Sequence, residues 1–242
     1  MTPDKKKRFA LKSRKFEHRL LDLYKKGKIK GTMHQSIGQE SYAVDLIFQL
    51  KKKDIVVSNH RCHAHYLALT KDFKGLENEL RGNKDGVNAG KCLSQHIHIK
   101  DRFYANGIQG GMCPIACGMA WAFKMQNKDN IVLNFIGDGT LGQGIVYESF
   151  NIASLWKLPI VFIIENNKFA MSTRKEDGLA GSIAARLSAF GLSLADPLNI
   201  RKTSPSFLVI DTYRFCGHSP NDPQTYRSKE EVWKNQDTLS MK

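Results

Sequence analysis

With 242 residues, 41% hydrophobic and 25% charged, the chain can bury a full core as one large domain, or one domain with arms. Its longest apolar stretches, residues 131–136 and 160–164, fall far short of a bilayer's thickness, and the basic run Lys5–Arg8 is lysine-rich with no apolar segment behind it, so neither a membrane span nor a targeting leader is expected. The net charge of +14 is spread along the chain without a helix-turn-helix, zinc finger or single-strand platform, which points to a lysine-rich surface facing an acidic partner subunit and against nucleic acid.

Residues 9–27 read as an amphipathic helix, with Phe9, Phe16, Leu20, Leu23 and Tyr24 at helical spacing and Gly27 as its stop. Residues 1–36 are taken as an N-terminal helical arm and 37–242 as an α/β domain. A second helix is expected over 41–50 and a short strand over 54–58, followed by the polar run from Asn59 to His65. Residues 83–111, rich in glycine, histidine and polar side chains, read mostly as a functional loop. An apolar helix over 113–125 has Pro114 in its first turn. Then come a strand over 130–136, a helix over 142–155 and a strand over 159–164, a βαβ unit that makes the two strands parallel. Residues 207–211 read as a later strand. The five cysteines, Cys62, Cys92, Cys113, Cys117 and Cys216, are odd in number and widely spaced, so reduced thiols in a cytoplasm are expected.

Ligands of open parallel sheets bind beyond the carboxyl ends of the strands. Gly137-Asp138-Gly139 follows the first strand of the βαβ unit and Glu165-Asn166-Asn167 follows the second, so both lie on one edge. A carboxylate, an amide oxygen and backbone carbonyls are hard ligands for Mg²⁺ or Ca²⁺. The glycines admit a phosphate close to the backbone, and the helix from about Gly142 offers free N–H groups to it. A metal-bridged diphosphate is the reading of this edge. His60, Cys62, His63, His65, Cys92, His96 and His98 are transition-metal ligand types, but their spacing matches no closed tetrahedral pattern. Cys113 and Cys117 read as buried thiols, and Tyr213 and Arg214 as structural.

Gly-Asp-Gly followed at this distance by Asn-Asn is similar to the signature of thiamine-diphosphate-dependent enzymes. Residues 135–144, 147–159 and 165–172 resemble the alpha subunit of the thiamine-dependent first component of 2-oxo acid dehydrogenase complexes, the pyruvate and acetoin type. Ile37–Glu40, His60–His63, Gly107–Pro114, Gly181–Arg186 and Thr212–Ser219 extend the likeness across most of the chain. The resemblance implies a doubly wound, mainly parallel sheet of the thiamine-diphosphate-binding fold, with thiamine diphosphate and Mg²⁺ as cofactors. It implies Asp138, the Asn167 side chain and the Phe169 carbonyl as metal ligands, and the Gly139 and Thr140 N–H groups, beside Gly137, on the diphosphate. Arg61 would bind the diphosphate, with His60 in place of a family tyrosine. The backbone of Gly107, Ile108 and Gln109 would face the aminopyrimidine ring. His218 would donate a proton or orient substrate, and His63 occupies a second such position. In this class the cofactor's ylid carbon attacks the substrate carbonyl and its ring takes up the electrons of decarboxylation. Ser219 falls at a position phosphorylated in some relatives.

Three departures bear on function. Gln109 stands where the family has an aliphatic wedge under the cofactor. Some twenty residues are skipped between Ile200 and Arg201, where relatives carry a helix. The ring-activating glutamate has no counterpart here, Glu40 belonging to a region near the N-terminal helices. The chain therefore reads as half an active site, completed by a beta subunit in a two-plus-two assembly and handing an acyl unit to a lipoyl-bearing acyltransferase. A thiamine-dependent carboligase subunit and a non-catalytic binding homologue are the competing readings.

Overall fold

The computed structural model describes residues 2–240. Helix α1 spans Pro3–Lys25, capped by the Thr2 hydroxyl on the Lys5 N–H with proline in the first turn. It starts earlier than apolar spacing predicts, because its first two turns are polar and held by that cap. Helix α2 (Glu40–Ile47), strand β1 (Ile55–Ser58), and helices α3 (His63–Thr70) and α4 (Phe73–Leu80) follow. The polar run after β1 is thus half helical: His63 opens α3. The segment 83–111, read as mostly loop, contains strands β2 (His98–Ile99) and β3 (Phe103–Ala105), too short for a periodicity signal. Then come α5 (Met112–Met125), β4 (Val132–Gly137), a 3₁₀ turn (Asp138–Gly142), α6 (Gly144–Leu155) and β5 (Ile160–Asn166). The hairpin β6 (Phe169–Ala170) and β7 (Thr173–Arg174) precedes α7 (Lys175–Gly178), α8 (Ile183–Ala189), β8 (Ser193–Leu194), β9 (Ser206–Asp211) and α9 (Lys229–Ser240).

The main sheet has the order β2-β3-β1-β4-β5-β9-β8 and is parallel except for the edge strand β2. Strand alternation sorts its side chains into two cores. Leu133, Phe135, Val161 and Ile163 join Phe16, Leu20, Val44 and Leu67 from α1, α2 and α3 on one face. Val132, Ile136, Ile160, Phe162 and Ile164 join Cys117, Phe150 and Leu187 from α5, α6 and α8 on the other. This is the expected doubly wound sheet. Because α1 buries Phe16 and Leu20 in the same core as β4 and β5, the first helix is part of the fold's packing.

Where the family helix is skipped, residues 195–205 lead from β8 to the parallel strand β9 without a helix. Ile200 is fully buried there, and Arg201 pairs with Asp54 and Asp129. Those contacts anchor the short connection across the end of β1.

Candidate active site

Parallel pairing brings Gly137 level with Glu165 and Asn166 level with Asp211. The ends of β1, β4, β5 and β9 thus share one edge, and a cavity of about 290 Å³ opens over it. From β1 come Asn59, His60 and Arg61; from β4, Gly137, Asp138, Gly139 and Thr140; from β5 and the hairpin, Glu165, Asn167 and Phe169. Gln109, Arg214 and His218 complete its rim. The two strand-end motifs therefore meet, 29 positions apart in the chain (167 − 138).

Asp138 is buried, and its Oδ2 atom has no hydrogen-bond partner among the described residues. Burial pushes its carboxyl up to about 6, against the help of N–H groups from Gly139 and Lys168. Asn166 likewise buries an unpartnered Oδ1 while its amide donates to Asp211 at 2.6 Å. Asn167 Oδ1 accepts the Phe169 N–H at 3.1 Å, which turns the chain sharply into β6. Gly139 has to be glycine for packing: a Cβ there would lie 2.5 Å from the Cβ of Ala170.

Two guanidiniums lie in this cavity wall. Arg61 is 4% exposed and Arg214 1%. Arg61 donates to the carbonyls of Gln35 and His218. Arg214 donates to the carbonyls of Cys216 and Met171 and to the Tyr226 hydroxyl. Neither forms an ion pair with a carboxylate among the described residues. Burial, and then the charge of Arg214, lowers Arg61 to about 10, so it is still a cation at neutral pH. Two buried guanidiniums without an ion-pair partner among the described residues, facing a cavity, suit an anion.

Below them Glu165 is 2% exposed. Burial raises its carboxyl, but His65, Tyr42 and Asn59 more than offset that and hold it below the ordinary range. Its oxygens accept from Tyr42, Asn59 and Gln39. It is an anchored, ionised floor to the site.

The expected residues do not all converge. His63 sits at the start of α3 with its ring turned toward α1. It is fully buried on Glu17 and Ser94, with Nδ1 3.2 Å from Glu17 Oε1 and Nε2 2.9 Å from Ser94 Oγ, and it does not line the cavity. Of the segment 107–109, only Gln109 lines it; Ile108 is 69% exposed and Gly107 faces Gln95. Gln109 Oε1 accepts from the Thr140 hydroxyl, and its amide nitrogen lies 2.8 Å from His60 Nδ1. Glu40 is held by Arg14 through two bonds of 2.7 and 3.1 Å and by the Gly38 N–H, outside the cavity lining. Arg214, which lines the cavity, and His34, which touches the His218 carbonyl beside it, carry no site signature in the sequence. Arg214 read as structural because its role depends on what it faces. His34 stands alone between helices, and its contact with His218 spans 184 positions.

Residues 8–192 match the family described as Dehydrogenase E1 component. The chain is 38% identical over 241 residues to the pyruvate dehydrogenase E1 component subunit alpha of Rhizobium meliloti, covering 91% of this chain and 69% of that one. It is 39% identical over 250 residues to the subunit of the same name from Rickettsia prowazekii, covering 93% and 76%. A solved transketolase from Campylobacter jejuni aligns with a TM-score of 0.68 over 99% of this chain and 43% of that one; at 19% identity it shows the fold alone. The chain belongs to the dehydrogenase E1 component family. Within that family its likeness is to alpha subunits of the pyruvate dehydrogenase type.

Proposed function

We propose that this chain is the alpha subunit of a thiamine-diphosphate- and Mg²⁺-dependent 2-oxo acid dehydrogenase acting on pyruvate or a close analogue. The observation that carries this reading is the pairing of two unlike binding capacities on one sheet edge. In the cavity, Asp138 holds a buried oxygen without a partner among the described residues, beside the Asn167 amide oxygen and the Phe169 backbone, a set suited to a hard cation. Arg61 and Arg214 hold buried positive charge without an ion-pair partner among the described residues, suited to a diphosphate. A metal diphosphate satisfies both sets.

Asp138, Asn167 and the Phe169 carbonyl would hold the ion. The Gly139 and Thr140 N–H groups and Arg61 would hold the diphosphate. When bound, the cofactor supplies an electron sink for the charge released as the substrate's carboxylate leaves. His218 stands on the rim with burial, and then Arg61, pushing its imidazole down to about 3. At neutral pH it is therefore uncharged, and it acts as a neutral hydrogen-bonding group that orients substrate. A diphosphate beside it would raise its basicity and let it carry a proton. A beta subunit supplies the glutamate that activates the ring, and a lipoyl-bearing acyltransferase takes the acyl unit.

The test mixes the chain with its partner subunit and assays turnover of pyruvate with a lipoyl domain, with and without Mg²⁺. Turnover that needs both thiamine diphosphate and Mg²⁺ and is lost in Asp138→Ala supports the reading. Wild-type turnover in that variant contradicts it. Turnover with a free aldehyde and none with the lipoyl domain would make the chain a carboligase subunit, for which the polar Gln109 under the site is the favouring feature.

A further inference from the structure

We propose that Thr140, Gln109 and His60 form a hydrogen-bond relay in which Gln109 is a positioning residue, fixing His60 as an Nε2–H donor to the anion that Arg61 and Arg214 suit. The inference rests on the diphosphate reading of the cavity and adds to it a neutral donor whose direction is set by a neighbouring side chain. Gln109 and His60 both depart from the family's pattern, and the fold brings these two side chains into contact across 49 positions of the chain. Both line the cavity, as does Thr140.

The order of donors follows from the atoms. The Thr140 hydroxyl donates to Gln109 Oε1. That leaves the Gln109 amide nitrogen to meet His60 Nδ1, at 2.8 Å. An amide nitrogen only donates, so Nδ1 accepts and the proton of the neutral ring sits on Nε2. His60 Nε2 is buried and has no hydrogen-bond partner among the described residues. A buried N–H without an acceptor is costly, and an anion oxygen in this cavity supplies the acceptor. The opposite tautomer would present a lone pair to the same oxygen. Burial, and then the charge of Arg61, hold the imidazole well below its ordinary range, so at neutral pH it is an uncharged donor.

The two ends of the relay are held in place. Thr140 is 2% exposed and lies in the 3₁₀ turn that follows β4, the segment whose N–H groups face the diphosphate in this reading. The turn that carries Gln109 is fixed by Asn106 Oδ1, which accepts the Ile108 N–H at 2.7 Å. It is fixed again at Gly110, with φ +79°, where a Cβ would lie 3.0 Å from a methyl of Ile145 in α6. The relay thus ties the end of β4 to the end of β1 through a side chain that enters from the turn before α5.

The test reads the His60 tautomer by long-range proton–nitrogen NMR of the histidine-labelled full chain at neutral pH without ligand, the signal being assigned by its loss in His60→Phe. Gln109 is exposed at the rim, so its variants should keep the native melt. The wild type is expected to show one neutral form with the proton on Nε2. Gln109→Glu, whose carboxylate only accepts, should move that proton to Nδ1, and Gln109→Leu should leave a mixture of the two forms. Isothermal calorimetry of thiamine diphosphate with Mg²⁺, on the full chain with its partner subunit, reads the service to the anion. Gln109→Leu should weaken binding about tenfold in the wild-type background and less than about twofold in His60→Phe. A wild-type ring protonated on Nδ1, or a tautomer that both Gln109 variants leave unchanged, would overturn the relay. An equal loss in the two backgrounds would make Gln109 merely structural and overturn it as well. A wild type that binds no thiamine diphosphate would overturn the diphosphate reading and the donor role with it, while the tautomer series still decides whether Gln109 sets the ring.

Discussion

Asp138→Asn should make the unloaded chain more stable and the loaded chain less stable. Asp138 is 2% exposed, and one of its carboxyl oxygens has no hydrogen-bond partner among the described residues. Burial lifts it from 3.8 to about 6, which corresponds to a cost of roughly 3 kcal/mol for holding it ionised at neutral pH. Because the folded value is the raised one, this cost is absent below about pH 4, grows between 4 and 6, and is full above 6. Asparagine removes it but gives up part of the bonding from the Gly139 and Lys168 N–H groups, leaving a net gain of about 1–2 kcal/mol. For a chain of this size that raises the melting temperature by roughly 2–8 °C. Thiamine diphosphate and Mg²⁺ at a hundredfold excess over their dissociation constant should stabilise the wild type by about 2.7 kcal/mol and leave the variant's melt where it was. Differential scanning calorimetry at pH 7.5 with and without ligands reads both arms. An equal ligand-induced shift in the two proteins, or an unloaded variant that melts lower, would refute the reasoning.

Glu17 and His63 form a fully buried pair 3.2 Å apart under α1. His63→Ala leaves the Glu17 carboxylate buried on Ser36 alone and should cost roughly 3–5 kcal/mol in urea unfolding; a loss below about 1 kcal/mol would show the pair to be unimportant. Burial raises Glu17, but His63 and Ser36 more than offset it and hold the group below its ordinary 4.5. Its contribution is therefore present above pH 4.5 and is lost as pH falls through the lowered folded value, so the wild type should weaken more steeply than His63→Ala on acidification. Arg61→Met removes one of the two buried guanidiniums of the cavity wall, and isothermal calorimetry should show cofactor affinity falling about tenfold or more with the fold retained. Gly38 has φ +96°, and a Cβ there would lie 2.1 Å from the Tyr213 carbonyl oxygen; Gly38→Ala should cost at least roughly 2 kcal/mol, measured by denaturant midpoint.

The parts of this molecule that carried a periodic or chemical signature were legible before the structure. The runs that became β4, β5 and α5 are long and apolar, so their type and parallel order follow from the sequence. The βαβ rule alone puts Gly137-Asp138-Gly139 and Asn166-Asn167 on one edge, and Asn167 meets the first motif at the cavity. Strands β2 and β3 were not legible, since two or three residues give no period and their stability comes from pairing with each other and with β1. The role of Arg214 was hidden for a different reason: a buried arginine reads as structural until the cavity it faces is known. His63 shows the limit of carrying a role by motif. Its position in the chain matches, yet a single helical start at Cys62 turns its ring onto Glu17 and away from the cavity. His34 is the strongest case, because a lone histidine between helices has no local signature, and its contact with the His218 carbonyl forms only in the fold.

The central claim is that one sheet edge of this chain binds a divalent metal and the diphosphate it bridges. A crystal of the full chain with its partner, grown with thiamine diphosphate and Mn²⁺ in place of Mg²⁺, tests it through anomalous scattering. A single strong peak is expected among Asp138, Asn167 and the Phe169 carbonyl, with phosphate density against Arg61. Bound cofactor with its manganese peak elsewhere, or with its diphosphate away from Asp138, would contradict it.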